Sequence, residues 1–152
     1  MVRHVASIAE IVADVEQAVR FYRDVLGLAV EYEPGSGYAQ VQVAGTLHFG
    51  LWSRAAAAES TLGDPQAAEQ IPLGFSVGFE VDEVTAAEKS LSTASDQAQP
   101  VETVRLIRRR REEPWGQVTA RFLAPGGGLA EIAETPWARR IEQPMKVAGD
   151  EG

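Results

Sequence analysis

No cysteine occurs in the 152 residues. That excludes disulfides, thiolate metal sites and a cysteine nucleophile, and leaves the fold independent of redox compartment. Histidine is nearly as scarce, with only His4 and His48 present, so an imidazole-rich metal centre has little to draw on. No apolar run approaches the roughly 20 residues that span a bilayer. Met1-Val2-Arg3-His4 passes directly into a strand-like pattern without the charged, apolar and small-residue order of a signal peptide. The expectation is a soluble cytoplasmic protein. Positive charge is in deficit, 14 basic against 22 acidic residues for a net charge of −8. Such a surface repels nucleic acid and anionic lipid; it favours a cationic ligand and equally serves solubility. The one basic run, Arg108-Arg109-Arg110-Arg111, is followed at once by Glu112-Glu113 and reads as a solvated strand end with local charge pairing.

What the chain does have is an ordinary globular balance, 45% hydrophobic and 24% charged, suited to one domain or two small halves sharing a core. Residues 5–12 are mostly apolar and suit a strand. Asp14 follows as an N-cap with Gln17 three residues on, in the pattern of a capping box. Val15, Ala18, Val19, Tyr22 and Val25 recur at helical spacing, and Gly27 ends the helix. An extended stretch over 29–33, a turn at Pro34-Gly35-Ser36-Gly37, and alternating segments over 38–43 and 47–52 complete the order strand, helix, three strands. Residues 53–70, rich in Ala, Glu, Ser and Gln, read as an exposed connector with a loose helical turn. The order then repeats: a strand over 75–81, a helix from Glu83 through Leu91, strands over 101–107 and 117–123, a turn at Pro125-Gly126-Gly127-Gly128 and a strand over 129–133. Ser7-Ile8 and Asp14-Val15 match Ser76-Val77 and Glu83-Val84 at equal spacing, the mark of an internal duplication. The expected division is a first βαβββ module over 1–58, a connector over 59–72, a second module over 73–136 and a flexible tail over 137–152.

Asp14-Val15-Glu16-Gln17-Ala18-Val19-Arg20-Phe21-Tyr22-Arg23-Asp24-Val25-Leu26-Gly27 resembles the first-helix signature of the vicinal oxygen chelate superfamily, the group of glyoxalases, bleomycin-resistance proteins and extradiol dioxygenases. Pro114-Trp115-Gly116-Gln117, with Ala124-Pro125-Gly126-Gly127-Gly128-Leu129-Ala130-Glu131 after it, is similar to that group's closing hairpin; Ala124-Pro125-Gly126-Gly127 stands where members more usually carry Asp-Pro-Asp-Gly. The resemblance covers residues 5–135. It implies an α+β fold in which two βαβββ modules form curved mixed sheets around a cavity, in a homodimer with or without exchanged modules. The fold hosts isomerases, dioxygenases, thiol transferases and non-catalytic binders, so it does not name a function.

Strand alternation assigns the faces. Val41, Val43, Leu47, Phe49 and Leu51 are expected under the first helix; Val118, Ala120, Phe122, Ala130 and Ile132 pack inward in the second half. Tyr38, Gln40, Gln42, His48, Gly50 and Trp52 then face the cavity, as do Gln117, Thr119, Arg121, Leu129, Glu131 and Ala133. Ser7 and Ser76 hold matching cavity positions, and Gly78 and Glu80 share the face of Ser76. Glu10 falls on the helix side, where a charge is costly unless paired; a frayed or bulged position, or a reversed frame that puts Glu10 in the cavity, would resolve it.

The superfamily places His, Gln or Glu at four metal-binding positions, which the resemblance carries to Ser7, Gly50, Ser76 and Glu131. Glu131 alone is a usual ligand, so no metal and no cofactor is expected. A rearranged site from His48, Glu80 and Glu131 is the alternative. No catalytic set is identified. Glu80 with Glu131 would serve as an acid–base pair if the fold brought them together, which the sequence does not show; Glu131 with Arg121 reads equally as a simple ion pair across the hairpin. Trp52, Trp115, Tyr38 and His48 offer stacking surfaces; Gln40, Gln42, Gln117, Thr119, Arg121, Ser76, Glu80 and Glu131 offer polar contacts. Trp137, in the tail, has no clear role. The resemblance to metal-free bleomycin-resistance proteins implies non-catalytic binding and sequestration of a bulky, partly aromatic antibiotic. The alternatives are a metal-dependent lyase or dioxygenase, and a structural dimerisation domain.

Overall fold

The duplication read from the sequence is realised as two βαβββ halves of one sheet. The computed structural model describes residues 1–96 and 105–137. Its strands are β1 (Val2–Val12), β2 (Ala29–Tyr32), β3 (Tyr38–Gln42), β4 (Phe49–Ser53), β5 (Gly74–Val81), β6 (Arg105–Glu112), β7 (Val118–Leu123) and β8 (Leu129–Glu134); its helices are α1 (Val15–Arg20), α2 (Arg54–Leu62) and α3 (Val84–Asp96). The eight strands form one open mixed sheet in the order β2-β3-β4-β1-β5-β8-β7-β6. Within each half the first and last strands pair in parallel, β1 with β4 and β5 with β8. The halves join where β1 and β5 run antiparallel, with Ser7 opposite Gly78 and Ala9 opposite Ser76. Among the described residues no helix is long and apolar enough to cross a membrane.

Local chemistry sets the first helix. The Asp14 carboxylate accepts from the Gln17 N–H at 3.1 Å, satisfying one of the orphan donors of a helix N-terminus. A π-helical turn, Phe21–Val25, continues α1, and Gly27 leaves it at φ 71°. Val15 and Val19 pack on Ala39, Val41 and Leu51, while Val84 and Ala87 of α3 pack on Val81, Ala120, Phe122, Ala130 and Ile132. The alternation thus predicts both cores, with two exceptions. Val43 and Leu47 are 38% and 43% exposed; they lie past the ends of β3 and β4, where α1 no longer covers the sheet. Glu10 does stand on the helix side. It needs neither a fray nor a reversed frame, because the Tyr22 hydroxyl donates to its Oε1 at 2.6 Å.

Two segments correct the sequence reading. The stretch read as an exposed connector contains α2, capped by Ser53 Oγ, which accepts from the Ala56 N–H at 3.0 Å, and closed by Gly63 at φ 75°. Ala57 and Ala58 are fully buried against Ile11, Ile71 and Leu129. Alanine's small side chain lets the helix lie close on the strands, and its high helix propensity supports the turn count. The second correction is β6, which runs through the arginine tract instead of ending before it; residues 101–104 and the tail beyond 137 lie outside the described residues.

Leu51 is fully buried beneath α1. We expect Leu51→Ala to lower the unfolding free energy by about 2–5 kcal/mol, measured by chemical denaturation.

Candidate functional site

The sheet face turned away from α1 and α3 bounds a cavity of about 690 Å³. Both halves of one chain line it: Ser7 from β1, Tyr38 and Gln40 from β3, Trp52 from β4, Ser76 and Gly78 from β5, Arg121 from β7 and Glu131 from β8. α2 lies on this same face and walls one end, contributing Ser60.

Of the residues assigned to ligand contact, Tyr38, Gln40, His48, Trp52, Ser76, Trp115, Gln117, Arg121 and Glu131 line the cavity. Gln42, Glu80 and Thr119 do not. Gln42 is exposed at the end of β3. Glu80 is fully buried, because the chain crosses it at Thr135, whose N–H donates to Glu80 Oε2 at 2.8 Å. Thr119 is fully buried and donates to Glu113 Oε1 at 2.8 Å. Leu129 and Ala133 are buried too, Leu129 because α2 covers it. Leu47, expected in the core, lines the cavity, and so does Trp137.

Arg121 lies at the base of the cavity. Its Nη1 donates to the Ser60 carbonyl at 3.1 Å. Its Nη2 is 3.2 Å from Glu131 Oε1 and 3.4 Å from Glu113 Oε1, and its guanidinium carbon is 5.3 Å from the Trp52 ring centroid. The expected Arg121–Glu131 ion pair is thus present, as one part of a larger cluster. Arg108, from the tract read as solvated, is half-buried and donates to Glu113 Oε1 at 2.6 Å and to Thr119. Burial, with Arg121 beside it, lowers the Arg108 guanidinium to about 10. Burial pushes the Glu131 carboxyl above its ordinary value, against the pull of Arg121. Sequence reasoning missed Glu113 at the centre of this cluster. The signal available was a pair of acids following four arginines, but nothing distinguishes Glu113 from Glu112 before folding.

A second polar pair stands at the mouth. Tyr38 and His48 stack with rings 4° apart, and the Tyr38 hydroxyl shares a hydrogen bond with His48 Nε2. Burial raises the Tyr38 phenol to about 12 and lowers the His48 imidazole below its ordinary 6.5.

The family model of the Glyoxalase-like domain matches residues 5–136. The chain belongs to the Glyoxalase-like domain family. No curated protein matches it. Its fold is similar to that of a glyoxalase/bleomycin resistance protein/dioxygenase superfamily member from Vibrio splendidus 12B01, at 18% identity and TM-score 0.52, covering 89% of this chain and 100% of that one. It is also similar to methylmalonyl-CoA epimerase from Mycobacterium tuberculosis, at 21% identity and TM-score 0.54, covering 91% and 93%. A third likeness is to methylmalonyl-CoA epimerase from Streptomyces coelicolor, at 16% identity and TM-score 0.55, covering 90% and 99%. These likenesses show the fold, and with the family match over residues 5–136 they agree with the vicinal oxygen chelate superfamily.

The residues of this Glyoxalase-like protein do not fit the superfamily's divalent metal. At Gly50, a Cβ would stand 2.6 Å from the Tyr38 hydroxyl oxygen and 2.7 Å from a ring carbon, so the Tyr38 ring occupies the space a ligating side chain would need. Ser7 and Ser76 supply hydroxyls, poor donors for such ions. Among the described residues no three His, Asp or Glu side chains gather into a metal-holding group, so His48, Glu80 and Glu131 do not form the rearranged site.

Two outcomes are expected. Glu113→Ala leaves Arg108 and Arg121 short of a counter-charge and costs about 3–5 kcal/mol, read from denaturation midpoints. The His48 ring titrates below its ordinary 6.5 in an NMR pH series. Because the folded value is depressed, the stability this neutral ring contributes is present above pH 6.5 and lost as pH falls.

Proposed function

We propose that this chain binds and sequesters a bulky, partly aromatic small molecule of the antibiotic natural-product kind, in the cytoplasm and without altering it. The observation that carries the reading is the replacement at Gly50, where the Tyr38 ring fills the space of a metal ligand and leaves an aromatic wall in its place. Three further facts support it. The cavity, about 690 Å³, falls within the range of roughly 300–1,000 Å³ that holds drug-sized ligands. Trp52, Trp115 and Trp137 all border it. The charges at its base are already paired with one another, an arrangement that holds shape better than it drives proton transfer.

A second reading has one observation in its favour. Glu131 borders the cavity with its carboxyl held above the ordinary value by burial, the condition of a general acid, and two of the similar folds are named as epimerases. Under that reading the bound molecule would be released changed.

The test is a titration of the purified protein with a panel of aromatic antibiotics, followed by tryptophan fluorescence and by mass spectrometry of the recovered ligand. We expect saturable quenching at about micromolar concentration, recovery of the ligand unaltered, and a loss of affinity of about tenfold or more in Trp115→Ala. A converted ligand, or near-stoichiometric Zn, Ni, Mn or Fe that is lost in Glu131→Ala, would replace sequestration with the enzymatic reading.

A further inference from the structure

The cavity's hydrogen-bonding capacity is unevenly spent, and the remainder defines what it accepts. Two of the aromatic walls have their polar atoms satisfied within the protein: Trp115 Nε1 donates to Gln117 Oε1 at 2.7 Å, and the Tyr38 hydroxyl is bound to His48. These rings therefore present apolar faces. The Arg121 guanidinium is committed to Ser60, Glu113 and Glu131. Polar groups of Ser7, Gln40, Ser60, Ser76 and Glu131 also border the cavity, and two of them meet at one place: Glu131 turns Oε1 to Arg121, which leaves its Oε2 beside the Ser7 hydroxyl. Both converge over Gly78, where an added Cβ would stand 2.5 Å from Ser7 Oγ and 3.2 Å from Glu131 Oε2. The absence of a side chain at Gly78 keeps this seat open. A glycine at the join between the two halves, where Gly78 lies opposite both Ser7 and Glu131, is thus explained by space and not by backbone conformation.

Charge narrows the class. Arg108, Arg111 and Arg121 meet Glu113 and Glu131, so the cluster holds no excess of negative charge. A cationic ligand at the seat would bring a further positive charge beside Arg121; an anionic one would meet the Glu131 carboxylate. An uncharged donor meets neither penalty and relieves the poor solvation of a half-enclosed carboxylate oxygen. We propose that the cavity selects an uncharged, flat aromatic molecule bearing a hydroxyl or N–H group, with that donor seated between Ser7 Oγ and Glu131 Oε2 over Gly78. This rests on the binding reading above and goes beyond it by naming the chemical class and its anchoring atoms.

The test uses matched probes on the full chain by isothermal titration calorimetry: 2-naphthol, 2-methoxynaphthalene, 2-naphthoate and 2-naphthylmethylamine. A hydrogen bond to a carboxylate oxygen leads us to expect 2-naphthol to bind about tenfold or more tightly than 2-methoxynaphthalene, which has the same rings without the donor. The naphthoate and the ammonium probe are expected to bind more weakly than 2-naphthol. Ser7→Ala and Gly78→Ala should each narrow the ratio of 2-naphthol to 2-methoxynaphthalene affinity toward one; the probe comparison on the unaltered chain stands even where a variant fails to fold. Equal binding of naphthol and its methyl ether overturns the donor seat but leaves the binding reading intact. Tighter binding of either charged probe overturns the class. Failure of all four to bind overturns both.

Discussion

Arg121 is the side chain on which the site's shape depends. From the middle of β7 it reaches Glu131 on the neighbouring strand, Glu113 in the turn after β6, the Ser60 carbonyl at the end wall and the Trp52 face in the other half of the chain. A guanidinium does this where an ammonium would not, because its planar fork serves carboxylates and a carbonyl at once and its flat face lies against an indole. Burial of such a cluster adds little net stability, since desolvation offsets much of the attraction. Its consequence is geometric: removing any partner strands a charge, so α2, β4, β7 and β8 are held in one arrangement.

That arrangement explains how the fold departs from the superfamily's metal chemistry without collapsing its cavity. The two ends of the set of positions that the superfamily uses for metal differ here. In the first half, Tyr38 lies across Gly50 and is pinned by His48, converting a coordination position into an apolar wall. In the second half, Glu131 persists, but Arg121 takes one of its oxygens and Ser7 stands near the other across Gly78. The one carboxylate at these positions thus has an arginine on one oxygen and a serine near the other. Both changes use glycine for the same reason, the space its missing Cβ leaves.

How far the site was legible before folding depended on the range of each interaction. The cavity-facing positions of β3, β7 and β8 followed from alternation, since side chains two residues apart share a face. Several of the failures share one cause. Leu129 and Ala133 obeyed alternation and were still buried, because α2 and the chain near Thr135 cover parts of that face. Glu80 was lost to the cavity for the same reason. Leu47 moved the other way, since the helix that would cover it ends short. α2 itself had local signals, Ser53 before an alanine run and Gly63 after it, but the segment's Ala, Glu, Ser and Gln content is also that of a linker.

By itself the sequence determined the duplication, the order of elements within each half and the two helix-covered cores, because hydrophobic period, capping residues and side-chain type are local properties. Tertiary structure decided which polar groups meet. Glu113 and Glu112 are neighbours of identical chemistry, yet one is buried among three arginines and the other is exposed. Ser7, Gly78 and Glu131 lie on three strands far apart in the chain and become one seat only through the β1–β5–β8 register. A hydrogen bond or ion pair acts over a few ångströms, and only the folded sheet brings such distant residues within that reach.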